Sequence, residues 1–216
     1  MGRVSSVRPP NRRASAGHGE VLGRGVLVLG LLAAIGGSSP ARGDPPGAQA
    51  GRSDRERHVA TVCALIRRAA DDNDLSRDFL ARLIWKESRF DPQAISPAGA
   101  EGIAQFMPGT AALRGLADSF DMVASIAASA RYLAEMARGY GNLGLAAIGY
   151  NAGEGRLRTW MDKGGWLPLE TVNYVADILG YPADAFADPA FDPAVPPLAE
   201  RMTFGPACRL LPALLP

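Results

Sequence analysis

The chain has 216 residues, of which 47% are hydrophobic and 21% charged, and its formal net charge is +1. These values suit one globular domain with appendages, long enough to bury a core without a metal ion or dense disulfides. Residues 1–43 hold six arginines and one acid. The remaining 17 basic and 21 acidic residues give residues 44–216 a net charge of −4. This negative charge argues against a nucleic-acid partner, whose binding depends on neutralising phosphates.

Residues 1–43 have the pattern of a secretory signal peptide. Five arginines precede the apolar run Val26–Ile35, and small residues follow it as far as Gly43. A basic region, a short apolar region and a small-residue cleavage site define such peptides, and ten apolar residues are too few to span a bilayer comfortably. We therefore expect export, cleavage and no stable membrane insertion afterwards. A retained anchor is the alternative.

The next residues, 44–53, have the composition of a linker. Beyond them, apolar residues recur at helical spacing in six segments, at about 55–72, 77–90, 121–139, 143–152, 154–162 and 171–179. Ser76 and Asp121 suit the N-caps of the second and third of these helices. Pro92 ends the second helix near Phe90, because the residue before a proline disfavours helical conformation.

The connection between the second and third helices contains a loop, 91–102, and a short apolar piece, Ile103–Met107, that Pro108 interrupts. No segment alternates as a β-strand would, so we predict an all-α domain of short helices over 54–181. Residues 182–197 are rich in Pro, Ala and Asp, which predicts an extended strap or a partly disordered segment at the start of a Pro-rich C-terminal arm, 182–216.

Two cysteines, Cys63 and Cys208, lie near the two ends of the predicted exported domain. In an oxidising compartment we expect a disulfide that pins the C-terminal arm to the first helix. Two separate buried thiols are the alternative.

Glu87 occupies an unusual place in the second predicted helix. Leu80, Leu83 and Ile84 recur at helical spacing, and the next position on their stripe is Glu87 rather than another apolar residue. Desolvation on such a face favours the protonated carboxylic acid, which is the form that a general-acid catalyst needs. A half-exposed edge residue without a catalytic role is the simpler alternative.

Two further polar clusters stand out, Gly102–Pro108 with the preceding Ser96–Ala100, and Tyr150–Gly153. In this order and spacing, the clusters resemble the soluble lytic transglycosylases of the bacterial cell wall, whose catalytic domain is similar to goose-type lysozyme. The resemblance covers roughly residues 75–178. Its matching pieces are Glu87-Ser88 with Phe90 and Pro92, Ser96, Gly99-Ala100, Gly102–Pro108 with Thr110-Ala111, Tyr150–Gly153, and Glu170-Thr171 with Tyr174-Val175.

The resemblance implies a lysozyme-like domain with a sugar-binding cleft. It implies cleavage, without water, of the β-1,4 bond between N-acetylmuramic acid and N-acetylglucosamine in peptidoglycan strands. Glu87 matches the single catalytic residue, which acts as acid and then as base and leaves a 1,6-anhydro-muramyl end. By matching position, Ser96, Gln105 and Asn151 would contact the sugar or the catalytic carboxyl, Tyr150 would help to position Glu87, and Met107 and Tyr174 would line the groove.

The resemblance assigns no second catalytic carboxylate, although glycosidases that use water need one. Asp91 and Glu101 are the nearest candidates in the sequence, and the substrate's own N-acetyl group is the expected substitute.

A muramidase on the same fold and a non-catalytic wall-binding component of a secretion apparatus are the alternatives. His58 has no partners at metal-ligand spacing, so we expect no metal ion. We also expect no cofactor and a monomeric protein.

Overall fold

The computed structural model describes residues 46–200 and 202–214. The predicted signal peptide, 1–43, lies outside them. Eight α-helices form within the described residues: α1 Pro46–Asp71, α2 Arg77–Ser88, α3 Pro108–Leu113, α4 Met122–Tyr140, α5 Leu143–Ala152, α6 Glu154–Lys163, α7 Leu169–Leu179 and α8 Phe204–Leu214. A 3-10 helix spans Ala183–Ala187. The described part has no β-strand beyond isolated bridges, so the all-α prediction is confirmed.

The two predicted N-caps are confirmed by their hydrogen bonds. The Ser76 hydroxyl accepts from the backbone N–H of Phe79 at 3.3 Å, and the Asp121 carboxylate accepts from Val123 N–H at 2.9 Å. Each bond satisfies a backbone donor that has no partner within the first turn of a helix. Helix α2 ends two residues earlier than predicted, because Arg89 takes a left-handed conformation with φ 57°.

Two segments are more helical than the sequence predicted. Helix α1 begins at Pro46, so it takes in most of the predicted linker, 44–53. Helix α3 begins at Pro108, which was expected only to interrupt the preceding apolar piece. In α3, Pro108 occupies the first helical position, where its fixed φ favours the helix and its missing N–H is not needed.

Helix α5 lies at the centre of the core and packs against α4, α6, α7 and the 3-10 helix. Its residues 144–149 are all buried, as expected of a helix that is apolar on every side. Helix α2 packs between α1 and α7 and buries Leu80, Leu83 and Ile84 completely. None of the described helices combines the length and the apolar character needed to cross a bilayer.

The C-terminal arm crosses helix α2 and then forms a helix of its own. The Arg82 guanidinium donates to the carbonyls of Pro196 and Pro197, both at 2.7 Å, and the Asp78 carboxylate accepts from Leu198 N–H at 3.3 Å. Helix α8 then packs on α1 and α2. The predicted strap is therefore extended only between the 3-10 helix and α8.

A close approach between α5 and the arm makes Gly144 a sensitive position. A Cβ added there would lie 2.0 Å from the ring of Phe186, which is itself packed against Tyr181 and Phe191. We expect Gly144→Ala to lower the free energy of unfolding by about 1–3 kcal/mol, measured by urea denaturation. The matched control is Gly139→Ala in α4, where an added Cβ meets nothing within 4 Å.

Gly139→Ala is expected to raise the free energy of unfolding by up to about 1 kcal/mol, because alanine is the better helix former. Equal urea midpoints for the two alanine variants would contradict the close approach at Gly144.

Candidate active site

Glu87 lies in the last turn of α2, half-buried at the end of the Leu80–Ile84 stripe. The pKa of its carboxyl is raised to about 7, mainly by burial. The hydrogen bond from Tyr174 and the charge of Lys86 oppose this rise, and the nearby Glu170 carboxylate adds to it. Near neutral pH the carboxyl is therefore present in both protonation states. A group with this pKa can donate a proton and later accept one.

Tyr174 holds the Glu87 carboxyl. Its hydroxyl donates a hydrogen bond to Glu87 Oε1, and burial raises the pKa of Tyr174 well above its ordinary value, so it remains a donor. Tyr150, to which the resemblance gives a role in positioning Glu87, donates to the Ala104 carbonyl at 2.8 Å. Burial and the nearby Glu87 charge raise the pKa of Tyr150 well above its ordinary value.

Packing behind the cleft holds Tyr150 in place. Its ring lies edge-on to Phe106 with centroids 6.0 Å apart, and 5.7 Å from the Tyr132 ring. The guanidinium of Arg114 lies 3.8 Å from the Tyr132 centroid, and the Tyr132 hydroxyl donates to Glu154 at 3.2 Å. Helices α4, α5 and α6 thereby fix the ring that faces the cleft.

The loop between α2 and α3 is held by its own hydrogen bonds. The Gln105 amide donates to the carbonyls of Ala94 at 3.1 Å and Gly102 at 2.9 Å, and Gln105 has a positive φ of 50°. Ser88 donates to the Ile103 carbonyl at 2.7 Å and so ties this loop to α2 beside Glu87. The Gln105 amide therefore shapes the loop as well as facing the cleft.

Gly102 permits this loop to approach its neighbour. It has φ +72°, and an added Cβ would lie 1.8 Å from the Ser119 carbonyl oxygen. A side chain at this position would displace the backbone that carries Gln105. On the other side of the loop, the Ser96 hydroxyl accepts from Ala100 N–H at 3.0 Å.

Helices α5 and α7 meet at Asn151. The Thr171 hydroxyl donates to Asn151 Oδ1 at 2.7 Å, which fixes the amide orientation and turns its NH₂ group away from Thr171. The NH₂ group makes no hydrogen bond to any other residue that the structure describes. It is therefore free to donate to a ligand.

All seven residues predicted for the site line one cleft of about 490 Å³: Glu87, Ser96, Gln105, Met107, Tyr150, Asn151 and Tyr174. Neither Asp91 nor Glu101 belongs to its lining. The Asp91 carboxylate is instead exposed and accepts from Gln93 N–H at 2.9 Å. No group of three metal-ligating side chains occurs in the part of the chain that the structure describes.

Three polar residues of the cleft, Lys86, Glu170 and Asn173, were not predicted from the sequence. Glu170 had been noted only as part of a matching piece, not as a carboxylate near Glu87. The spacing could have indicated that Glu170 faces the cleft, because Glu170, Asn173 and Tyr174 recur at the three- and four-residue intervals that share a helix face. Lys86 also connects α2 to α7, with its Nζ 2.5 Å from Asp177 Oδ2.

A comparison with protein families matches residues 64–172, just over half of the chain, to the transglycosylase SLT domain. The chain belongs to this family. The predicted family is thus confirmed, and the match includes Glu87, Gln105, Asn151 and Glu170 from the cleft lining. The transglycosylase SLT domain match stops before Tyr174 and the C-terminal arm.

Individual relatives agree with this assignment. The chain is 30% identical over 150 residues to the soluble lytic murein transglycosylase of Salmonella typhimurium strain LT2, covering 59% of this chain and 23% of the relative. It is 40% identical over 101 residues to the peptidoglycan transglycosylase gp16 of Escherichia phage T7, covering 43% of this chain and 8% of the relative. The chain thus spans a quarter or less of these relatives.

Among solved structures, the chain is similar to the lytic transglycosylase Slt of Pseudomonas aeruginosa, determined as an inactive mutant. The sequence identity is 29%, the TM-score is 0.49, and the match covers 61% of this chain and 25% of that one.

Proposed function

We propose that this chain is a peptidoglycan lytic transglycosylase, which cleaves the β-1,4 bond between N-acetylmuramic acid and N-acetylglucosamine without water. The observation that carries the proposal is the Glu87 carboxyl, half-buried in the cleft with a pKa raised to about 7 by its burial. Membership in the transglycosylase SLT domain family supports the substrate class.

In the proposed reaction, protonated Glu87 donates its proton to the glycosidic oxygen as the bond from that oxygen to C1 of N-acetylmuramic acid breaks. The N-acetylglucosamine unit leaves with a free hydroxyl at C4. The Glu87 carboxylate then takes the proton from the C6 hydroxyl of the muramyl unit while that oxygen attacks C1. This closes the 1,6-anhydro ring and returns Glu87 to its protonated form, as one carboxyl with a pKa near neutrality can do.

The other cleft residues have proposed roles in binding. The Asn151 NH₂ group donates to the sugar or to its acetamido carbonyl, Ser96, Gln105 and Met107 contact the strand, and Tyr150 helps to position Glu87. Tyr174 holds the carboxyl oxygen that it contacts, which leaves the other oxygen to reach the glycosidic oxygen. The N-acetyl group of the substrate stabilises the positive charge that develops at C1.

One observation keeps hydrolysis as a second candidate function. Glu170 places another carboxylate in the cleft and is close enough to raise the pKa of Glu87. Hydrolytic glycosidases use such a second carboxylate as a nucleophile or as a base that activates water. A muramidase would therefore use Glu170 together with Glu87.

Mass spectrometry of the fragments released from purified sacculi tests the proposal. A lytic transglycosylase releases 1,6-anhydro-muramyl ends, which are lighter by one water than the reducing ends from a muramidase. We expect anhydro ends from the wild-type protein and, at a similar or reduced rate, from Glu170→Gln. Reducing ends from the wild type that disappear in Glu170→Gln would instead identify a muramidase.

The hydrogen bond from Tyr174 predicts a change in pH dependence. Because that bond lowers the pKa of Glu87, Tyr174→Phe should raise it, and the protonated acid should persist to higher pH. For the wild type we expect kcat/KM to fall as pH rises through about 7. In Tyr174→Phe the fall should occur at higher pH, with a maximal rate roughly 10–100-fold lower because a bond to the carboxylate is lost.

The matched control is Tyr140→Phe, which removes another tyrosine–glutamate bond, that from Tyr140 to Glu154 at 2.9 Å, outside the cleft. Its pH profile should coincide with that of the wild type. A shift of the Tyr174→Phe profile toward lower pH would contradict the proposed role of the hydroxyl.

We also propose that the protein acts as a monomer in the periplasm, after export directed by residues 1–43. The basic and apolar pattern of that segment supports export, and the predicted substrate lies in that compartment. N-terminal sequencing of the periplasmic protein tests the cleavage. Intact protein that starts at Met1 in the membrane fraction would contradict it.

A further inference from the structure

Trp166 is unusually exposed for its residue type. Its side chain lies in the connection between α6 and α7 and is 72% exposed, whereas Trp85 is 7% exposed and Trp160 is packed against the core. Tryptophan is highly buried on average, since an indole in water forgoes a large hydrophobic gain. An exposed tryptophan beside a ligand cleft is therefore a candidate contact for that ligand.

The loop holds Trp166 outward by a specific backbone conformation. Gly164 has φ 69° and ψ −156°, a region that is essentially restricted to glycine, and Gly165 has φ +104°. The residue after Trp166, Leu167, is buried and anchors the loop to the core. The backbone is thus fixed on both sides of Trp166, by the two glycines before it and by Leu167 after it.

One face of the indole is already occupied. The guanidinium of Arg156, in the first turn of α6, lies 5.5 Å from the Trp166 ring centroid, within the range of a cation–π contact. This contact restricts the orientation of the ring and leaves its opposite face open to solvent. The exposed ring therefore presents a flat apolar surface with a cation beside it.

This surface is connected through the chain to two of the helices that line the cleft, α5 and α7. The first turns of α7 supply Glu170 and Asn173 to the cleft, and the bond from Thr171 to Asn151 joins the start of α7 to the end of α5. The loop that carries Trp166 leads directly into α7, and α6 with Arg156 starts directly after α5. Arg156 and Trp166 therefore each lie within a few residues of the junction between the end of α5 and the start of α7.

We propose that Trp166 is a sugar-binding platform for a glycan unit beyond the cleft. A pyranose ring has polar edges and apolar C–H faces, so its apolar face packs on the open face of the indole, while Arg156 on the opposite face holds the indole in place. The proposal rests on the proposed function, because a polymeric strand that occupies the cleft extends past its ends. The ligand is a further unit of the same strand.

Binding of glycan fragments of increasing length tests the platform. In the Glu87→Gln background, which binds without turnover, we would titrate N-acetylglucosamine–N-acetylmuramic acid oligosaccharides by calorimetry and by tryptophan fluorescence. Trp166→Ala should weaken the binding of the long fragments by roughly three- to ten-fold. It should leave the disaccharide unaffected and remove the fluorescence change that long fragments produce, whereas Trp166→Phe should retain most of the affinity.

The matched control is Leu169→Ala, which removes an equally exposed apolar side chain, 73% accessible, from outside the cleft lining. It should bind fragments of every length normally. The platform alone would be overturned if Trp166→Ala bound glycan fragments of every length as tightly as its parent. It would also be overturned if Trp166→Ala lost the same affinity for fragments of every length. Failure of every oligosaccharide to bind the Glu87→Gln protein would instead overturn the proposed function, and the platform with it.

Discussion

Replacing Glu87 by glutamine is expected to lower the rate of release of fragments from sacculi by at least about 10²–10⁴-fold. The amide has nearly the shape of the carboxylic acid and can still accept the hydrogen bond that Tyr174 donates. It has no acidic proton for the glycosidic oxygen and cannot take the proton from the C6 hydroxyl. Both halves of the proposed reaction therefore fail together.

The fold of Glu87→Gln should be retained, and the pH dependence of stability gives its own check. Between the ordinary pKa of 4.5 and about 7, the unfolded chain releases the Glu87 proton while the folded chain keeps it. Burial of this carboxyl therefore makes the wild type less stable as pH rises through that range. Glutamine carries no such charge, so Glu87→Gln should gain stability relative to the wild type as pH rises from 4.5 to 7.

Glu101→Gln is the matched control, because Glu101 is close in sequence but does not line the cleft. Its activity on sacculi should equal that of the wild type. Unchanged fragment release by Glu87→Gln would refute the catalytic role. Retention on sacculi without any fragment release by the wild type would favour the alternative of a non-catalytic wall-binding component.

The local features of the catalytic helix were predictable from sequence because they depend on neighbours in the chain. The apolar spacing placed Glu87 on the buried face, and Ser76 was identified as the N-cap by its residue type and position. The components of the cleft were also predictable, because the family motifs mark the ends of α2 and α5 and the loop at Gln105. These motifs identify positions without defining contacts.

Contacts between distant segments were not predictable in the same way. The sequence does not reveal that the Tyr174 hydroxyl reaches Glu87 while Tyr150 turns to the Ala104 carbonyl, since both are tyrosines on cleft-lining helices. Glu170 was missed as a neighbour of Glu87 for the same reason. Such contacts depend on how α7 is placed against α2, and that placement results from packing of the whole core.

The C-terminal arm shows that support for the site extends beyond the family match. Residues 64–172 match the transglycosylase SLT domain, yet the carbonyls that Arg82 of α2 contacts belong to Pro196 and Pro197. Because Glu87 is on the same helix, the arm braces the element that carries the proposed catalyst. Its attachment at Cys208 should therefore matter for stability.

Removal of the disulfide between Cys63 and Cys208, which the structure contains as predicted, is expected to lower the free energy of unfolding by about 2–5 kcal/mol. The bridge joins residues 145 apart in sequence, so it restricts nearly the whole unfolded domain. The test variant is Cys63→Ala with Cys208→Ala, because both positions are buried and serine would place a hydroxyl in an apolar site.

Urea denaturation and thermal unfolding measure the effect, with an expected fall in Tm of roughly 5–20 °C for a domain of this size. Treating the wild type with a reductant should bring its urea midpoint close to that of the double variant, while the same treatment should not change the variant. At 25 °C the variant should retain most of its activity, because α8 also buries Ala207 and Leu211 and the contacts from Arg82 to the arm persist. Equal midpoints for the oxidised wild type and the double variant would show that packing alone holds the arm against α2.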